Sequence, residues 1–119
     1  VFGDGLQLRD VNYVDACVEA LLLAGSSDQA NGKVYNLGGS EVIGLKDLAK
    51  IMVNLCHGGS FELAPFPSER KAIDIGDYYS DFSLITKELG WTPKIDLKDG
   101  LELTLNYYRE HFSHYWDEK

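Results

Sequence analysis

Apolar positions recur at helical spacing in several stretches of the chain. Leu45, Leu48, Ala49, Met52, Leu55 and Cys56 follow the i, i+3, i+4, i+7 rule and predict a helix over 45–56. His57-Gly58-Gly59 ends it. Leu97, Leu101, Thr104, Leu105, Tyr108 and Phe112 share one face of a predicted last helix over 97–114, and Asp96 with Asp99 makes a capping-box-like start. Asp15–Ala24 is apolar on nearly every side (Cys17, Val18, Ala20, Leu21, Leu22, Ala24), so it predicts a short helix, closed by Gly25, that wants cover all round. A further short helix is expected over Phe82–Leu89, with Gly90 as its C-terminal cap.

Extended stretches lie between these helices. Leu6–Tyr13, after the turn Gly3-Asp4-Gly5, predicts a strand. Residues 26–32 form a polar loop, and Lys33–Leu37 predicts a short strand ended by Gly38-Gly39. That strand reads as one meant to join a sheet made elsewhere. Phe61–Phe66 predicts another strand, stopped by Pro65 and Pro67. Residues 68–81 carry no clear period and read as a functional loop, with a short extended piece at Ala72-Ile73-Asp74. The alternation implies an α/β fold with too few strands for a self-sufficient doubly wound sheet.

Bulk properties narrow the function. A chain of 119 residues makes one domain at most. Its 45% hydrophobic content is globular. Nineteen acids against eleven bases give a net charge of -8, which offers no broad cationic face to nucleic acid or to an anionic membrane. No apolar run approaches the ~20 residues of a membrane span. The only methionine is Met52, so Val1 is not a translational start, and the chain reads as trimmed or as a piece of something longer. No signal peptide is visible, and Cys17 and Cys56 read as buried, reduced thiols; a cytoplasmic protein is expected.

Most of the motifs that could carry chemistry are incomplete. No G-x-G-x-x-G follows a strand. Gly39–Lys46 approaches a phosphate loop, but its lysine is one place late and Asp47 stands where a hydroxyl should hold magnesium, so an ordinary strand-to-helix turn is expected. Tyr115 and Lys119 have the Tyr-x-x-x-Lys spacing of hydride-transfer enzymes, yet at a chain end with no glycine fingerprint near; coincidence is the better reading. His111 and His114, with Asp117 and Glu118 close, make half a metal site without a third anchored ligand. Neither cysteine has a partner for nucleophilic catalysis. Arg9 and Arg70 stand out: two guanidinium forks can grip a diphosphate. The competing reading is two structural ion pairs, Arg9 with Asp10 and Arg70 with Glu69 or Asp74.

The run from Gly3 to Asp15, G-D-G-x-Q-x-R-D-x-x-Y-V-D, resembles the substrate-domain entry of extended short-chain dehydrogenases: nucleotide-sugar epimerases, 4,6-dehydratases and decarboxylases. Four further pieces resemble the same family in order. They are Gly32–Gly39 (G-x-x-Y-N-L-G), Leu45–Ala49, the loop from Glu69-Arg70 through Gly76-Asp77 to Asp81-Phe82-Ser83, and Leu89-Gly90-Trp91-Thr92-Pro93 with Leu97–Leu101. The resemblance implies an α/β C-terminal substrate-binding portion of an extended Rossmann-type enzyme over residues 1–119, with few short strands and about four helices.

It further implies that Arg9 and Arg70 (or Lys71 in its place) contact the diphosphate of a UDP-, dTDP- or GDP-linked sugar, with Gln7 and Tyr78 near that pocket. The parent would be an NAD-dependent epimerase or dehydratase whose N-terminal Rossmann half holds NAD and the catalytic residues. This chain would hold no cofactor, have no catalytic residue and turn nothing over alone. It departs from the family at Ala16, where an Asp usually caps the helix and Asp15 would substitute, and at Gly44, where a polar cap is usual. The alternative is a stand-alone, non-catalytic α/β binding or interaction module. The apolar faces of 15–24 and 34–37 imply self-association.

Overall fold

The computed structural model describes residues 1–116. The order is β1 (Leu8–Asp10), α1 (Val14–Gly25), a 3₁₀ turn (Asp28–Ala30), β2 (Val42–Gly44) and α2 (Leu45–Cys56). There follow α3 (Ser68–Lys71), α4 (Ser83–Leu89), α5 (Leu97–Glu110) and α6 (Phe112–Tyr115). The fold is α/β: helices surround a small antiparallel sheet in which Leu8, Arg9 and Asp10 pair with Gly44, Ile43 and Val42. The four predicted helices are present as α1, α2, α4 and α5. The single turns α3 and α6 are additional, and a break at His111 divides the predicted last helix.

The strands differ from expectation. The strand predicted over 6–13 is only three residues long. Residues 33–37 make no ladder among the described residues; Val34 is 85% exposed. The segment is instead tied by side chains to α4, where Lys33 Nζ and the Tyr35 hydroxyl donate to Glu88 at 2.7 and 2.6 Å. A strand needs a neighbouring edge, and both edges of β1 are taken, one by Val42–Gly44, which the sequence presents as a turn, and the other by Tyr78. Residues 61–66 contribute one parallel bridge, Phe2 to Ala64. Ala72 and Ile73 form a turn after α3, and the extended contact of that loop comes later, at Tyr78.

A small core sits where α1 meets α4. Ala16 and Ala20, one turn apart on α1, let that helix approach Ile85 and Trp91 closely. The Trp91 indole donates to the Ala16 carbonyl at 3.0 Å, so its N–H is satisfied inside the core. Phe82 meets the Trp91 ring edge-on at 5.8 Å. Ala16 is therefore a packing residue here. Asp15 does not cap: Tyr13 is the N-cap, with no side-chain cap bond. Asp96 does cap α5, accepting from Asp99 N at 2.8 Å. Both cysteines are free thiols, but Cys56 is exposed where α2 gives way to the left-handed His57, so the expectation that both are buried fails. No described helix is long and apolar enough to cross a membrane.

Candidate functional site

Three backbones meet at β1. On one side runs β2; on the other, residues 74–80 lie along the open edge. The turn before β1 is set by Gly3 and Gly5, both at positive φ, and by Asp4 Oδ1, which accepts from Leu6 N at 3.0 Å. Gly5 and Gln7 carbonyls then accept from Lys46 N and Leu45 N at 2.9 and 3.1 Å. The first N–H groups of α2 are thus consumed by protein backbone. Gly39–Lys46 is therefore not a phosphate cradle, and it is not the plain turn expected either, because Val42–Gly44 pairs with β1 as β2. Gly44 is the N-cap of α2, without a side chain to offer.

Arg9 lies mid-strand. Its Nη1 donates to the Leu8 carbonyl at 2.7 Å and the Gly76 carbonyl at 2.6 Å. No hydrogen bond holds its Nε or Nη2 among the described residues. Asp10 does not pair with it: Asp10 Oδ2 turns the other way and accepts from Ser80 N at 2.9 Å and Gly39 N at 3.3 Å. Neighbouring strand residues point to opposite faces, and that alternation separates the two charges. Gln7 donates through Nε2 to Asp74 at 2.5 Å. Tyr78 bridges Arg9 and donates its N–H to the Leu8 carbonyl at 3.0 Å. Gln7, Arg9 and Tyr78 are therefore brought together.

Arg70 is not part of this network. It is exposed on α3, and its guanidinium makes no hydrogen bond or ion pair among the described residues. Neither proposed ion partner takes it: Glu69 accepts from the Ser68 hydroxyl and Asp74 from Gln7. Two residues that the sequence offered only as part of the loop motif, not as site residues, join the network. Asp77 Oδ1 accepts from Leu8 N at 2.9 Å, and Gly76, at φ +67°, supplies the carbonyl on Arg9. The Gly76-Asp77 pair was the visible signal for both.

His111 and His114 rings stand 5.7 Å apart, and no cluster of three metal-binding side chains occurs among the described residues. His111 Nδ1 instead meets the Tyr107 carbonyl at 2.9 Å, and the ring stacks on Tyr107. Asp117, Glu118 and Lys119 lie outside the described residues. Tyr115 has its pKa raised, first by the hydrogen bond with the Tyr107 hydroxyl and then by desolvation.

No family model matches the chain. Curated relatives do. It is 32% identical to a dTDP-glucose 4,6-dehydratase of Streptomyces griseus, over 98% of this chain and 34% of the relative. It is 34% identical to GDP-mannose 3,5-epimerase 1 of Oryza sativa subsp. indica, over 92% of this chain and 28% of the relative. The chain is homologous to the C-terminal part of extended short-chain dehydrogenases. It spans about a third of the length of the relatives it matches.

Solved structures superpose on it as well. UDP-glucose 4-epimerase of Thermotoga maritima, solved with UDP-glucose, has a TM-score of 0.81 and 30% identity over 94% of this chain and 35% of its own. UDP-glucuronic acid 4-epimerase from Bacillus cereus, in complex with UDP-glucuronic acid and NAD, has a TM-score of 0.77 and 26% identity over 93% of this chain and 35% of its own. Among the described residues of the present chain the strands form one short antiparallel pair, and the α2 N-terminus is closed by Gly5 and Gln7.

Proposed function

We propose that this chain is the nucleotide-sugar-binding part of an NAD-dependent epimerase or dehydratase, and that Arg9 grips the diphosphate. One observation carries the reading. Arg9 is oriented on β1 by two carbonyls through a single nitrogen, and Nε and Nη2 stay available for a bidentate bond to phosphate oxygens. Similarity to dTDP-, GDP- and UDP-sugar enzymes over 92% or more of the chain supports the choice of anion. Tyr78 flanks Arg9, and Gln7 precedes Arg9 by two positions, with Leu8 between them. Arg70, exposed on α3 outside the Arg9 network and next to Lys71, is the second cation that the reading assigns to the diphosphate. No chemical step is assigned to these residues. Their work is to hold the donor so that its sugar is presented to a nicotinamide bound by an N-terminal half, which converts binding energy into orientation.

Titration of the chain with UDP, dTDP and GDP tests the reading. Arg9→Ala is expected to weaken the binding by about 1.5–3 kcal/mol, the range for a hydrogen bond to a charged group. Arg70→Ala should lose less, because an exposed cation is screened. Equal affinity in wild type and Arg9→Ala would overturn the assignment. Steady product from NAD with UDP-glucose or dTDP-glucose on this chain alone would overturn the division of labour.

A further inference from the structure

We propose that Asp77 is the positioning residue for Arg9: it fixes the loop whose carbonyl aims the guanidinium. The inference rests on the diphosphate reading above and adds the group that sets up its donor. Leu8 is gripped from both of its backbone groups by consecutive loop residues. Asp77 Oδ1 takes the Leu8 N–H at 2.9 Å, and Tyr78 N donates to the Leu8 carbonyl at 3.0 Å. This two-point grip ties the loop to the open edge of β1. The residue just before the grip is Gly76, whose carbonyl holds Arg9 Nη1 at 2.6 Å. Residue 76 bends at φ +67°, a conformation that glycine adopts freely. With the Asp77 bond gone, the Leu8 N–H faces water and the loop keeps a single backbone bond to Leu8.

An acid beside an anion site needs a reason, because its charge opposes the diphosphate. The acceptor at this position supplies one. Only the oxygen is needed for positioning, not the charge, and this separates the role from a plain electrostatic one. Asp77→Asn keeps an acceptor and removes the charge. Asp77→Ala removes both. Asp77→Glu keeps the charge and displaces the oxygen by one methylene.

The test is titration of the 119-residue chain with UDP and dTDP, with the Arg9 side-chain nitrogen resonances followed by NMR. Positioning predicts that Asp77→Ala and Asp77→Glu bind about tenfold more weakly. Asp77→Asn should bind within about twofold of wild type, or more tightly. Positioning also predicts separate Arg9 Nη signals in wild type and Asp77→Asn, and averaged signals in Asp77→Ala. The glutamate variant serves if the alanine variant does not fold, as judged by circular dichroism. Binding by the alanine or glutamate variant at or above the wild-type level overturns the proposal, and so do Arg9 Nη signals that ignore the substitution. If wild type and Arg9→Ala bind alike, the diphosphate reading fails instead, and the Nη signals alone decide whether Asp77 sets Arg9.

Discussion

Glu88 shows how a single side chain can hold a segment that has no sheet to join. Its carboxylate accepts from Lys33 and Tyr35 at once. Those bonds, Lys33 first, hold the Glu88 pKa below its ordinary 4.5 against the effect of desolvation. The same carboxylate pushes the Tyr35 hydroxyl up to about 12. A depressed carboxylate stabilises the fold above its unfolded pKa, and the contribution is lost as pH falls through the folded value. The thermal midpoint should therefore drop as pH falls below about 4.5, with part of that slope missing in Glu88→Gln. Tyr35 has the opposite sign: its contribution holds below the ordinary tyrosine pKa and fades as pH rises toward about 12. Calorimetry of wild type and Glu88→Gln across pH measures both limbs. Identical acid limbs would show that the pair does not tie 33–35 to α4.

Among the elements, β1 does the organising, although it is only three residues long. Leu8 receives the loop through Asp77, and Asp10 receives Gly39 and Ser80. Close approach at Asp10 and Val11 explains the Gly38-Gly39 pair. A Cβ on Gly38 would lie 2.7 Å from Phe82 and 2.8 Å from Asp10 Oδ2, and one on Gly39 would lie 2.8 Å from the Val11 carbonyl. Gly39→Ala should cost ~1–3 kcal/mol, as overpacking does, and denaturant titration reads it directly. An unchanged midpoint would mean that the segment 37–39 can part from β1 freely. The four longer helices were legible because a 3.6-residue apolar period is a local property. Val42–Gly44 was not, because a three-residue strand carries too few alternations to register and depends on β1 for its bonds.

At the scale of the molecule, burial is sparse. Ala16, Ala20, Ile85, Trp91 and Leu97 are the buried apolar side chains among the described residues. The radius of gyration is 17.2 Å, well above the roughly 13.5 Å of a compact domain of this length. On α1 the face opposite the core leaves Val14, Val18, Leu21 and Leu22 exposed, and Val34 is the most exposed large apolar residue. Such a surface associates when concentrated. Sedimentation velocity should show concentration-dependent oligomers, and Leu21→Glu with Leu22→Glu should return the chain to a monomer. A wild-type monomer at high concentration would count against this.

Sequence alone determined the four longer helices, the turn chemistry of Gly3-Asp4-Gly5 and the presence of an arginine on a strand entry, since each depends on neighbours along the chain. Order and spacing of the motifs also carried the family. Only tertiary structure decided what Arg9 touches: Asp10 turns away to hold two loops, and a carbonyl 67 residues on takes the guanidinium. It likewise left Arg70 outside the network and made Ala16 a contact for Trp91. Hydrogen-bond partners far apart in sequence follow from which backbones meet, and no local period encodes that meeting.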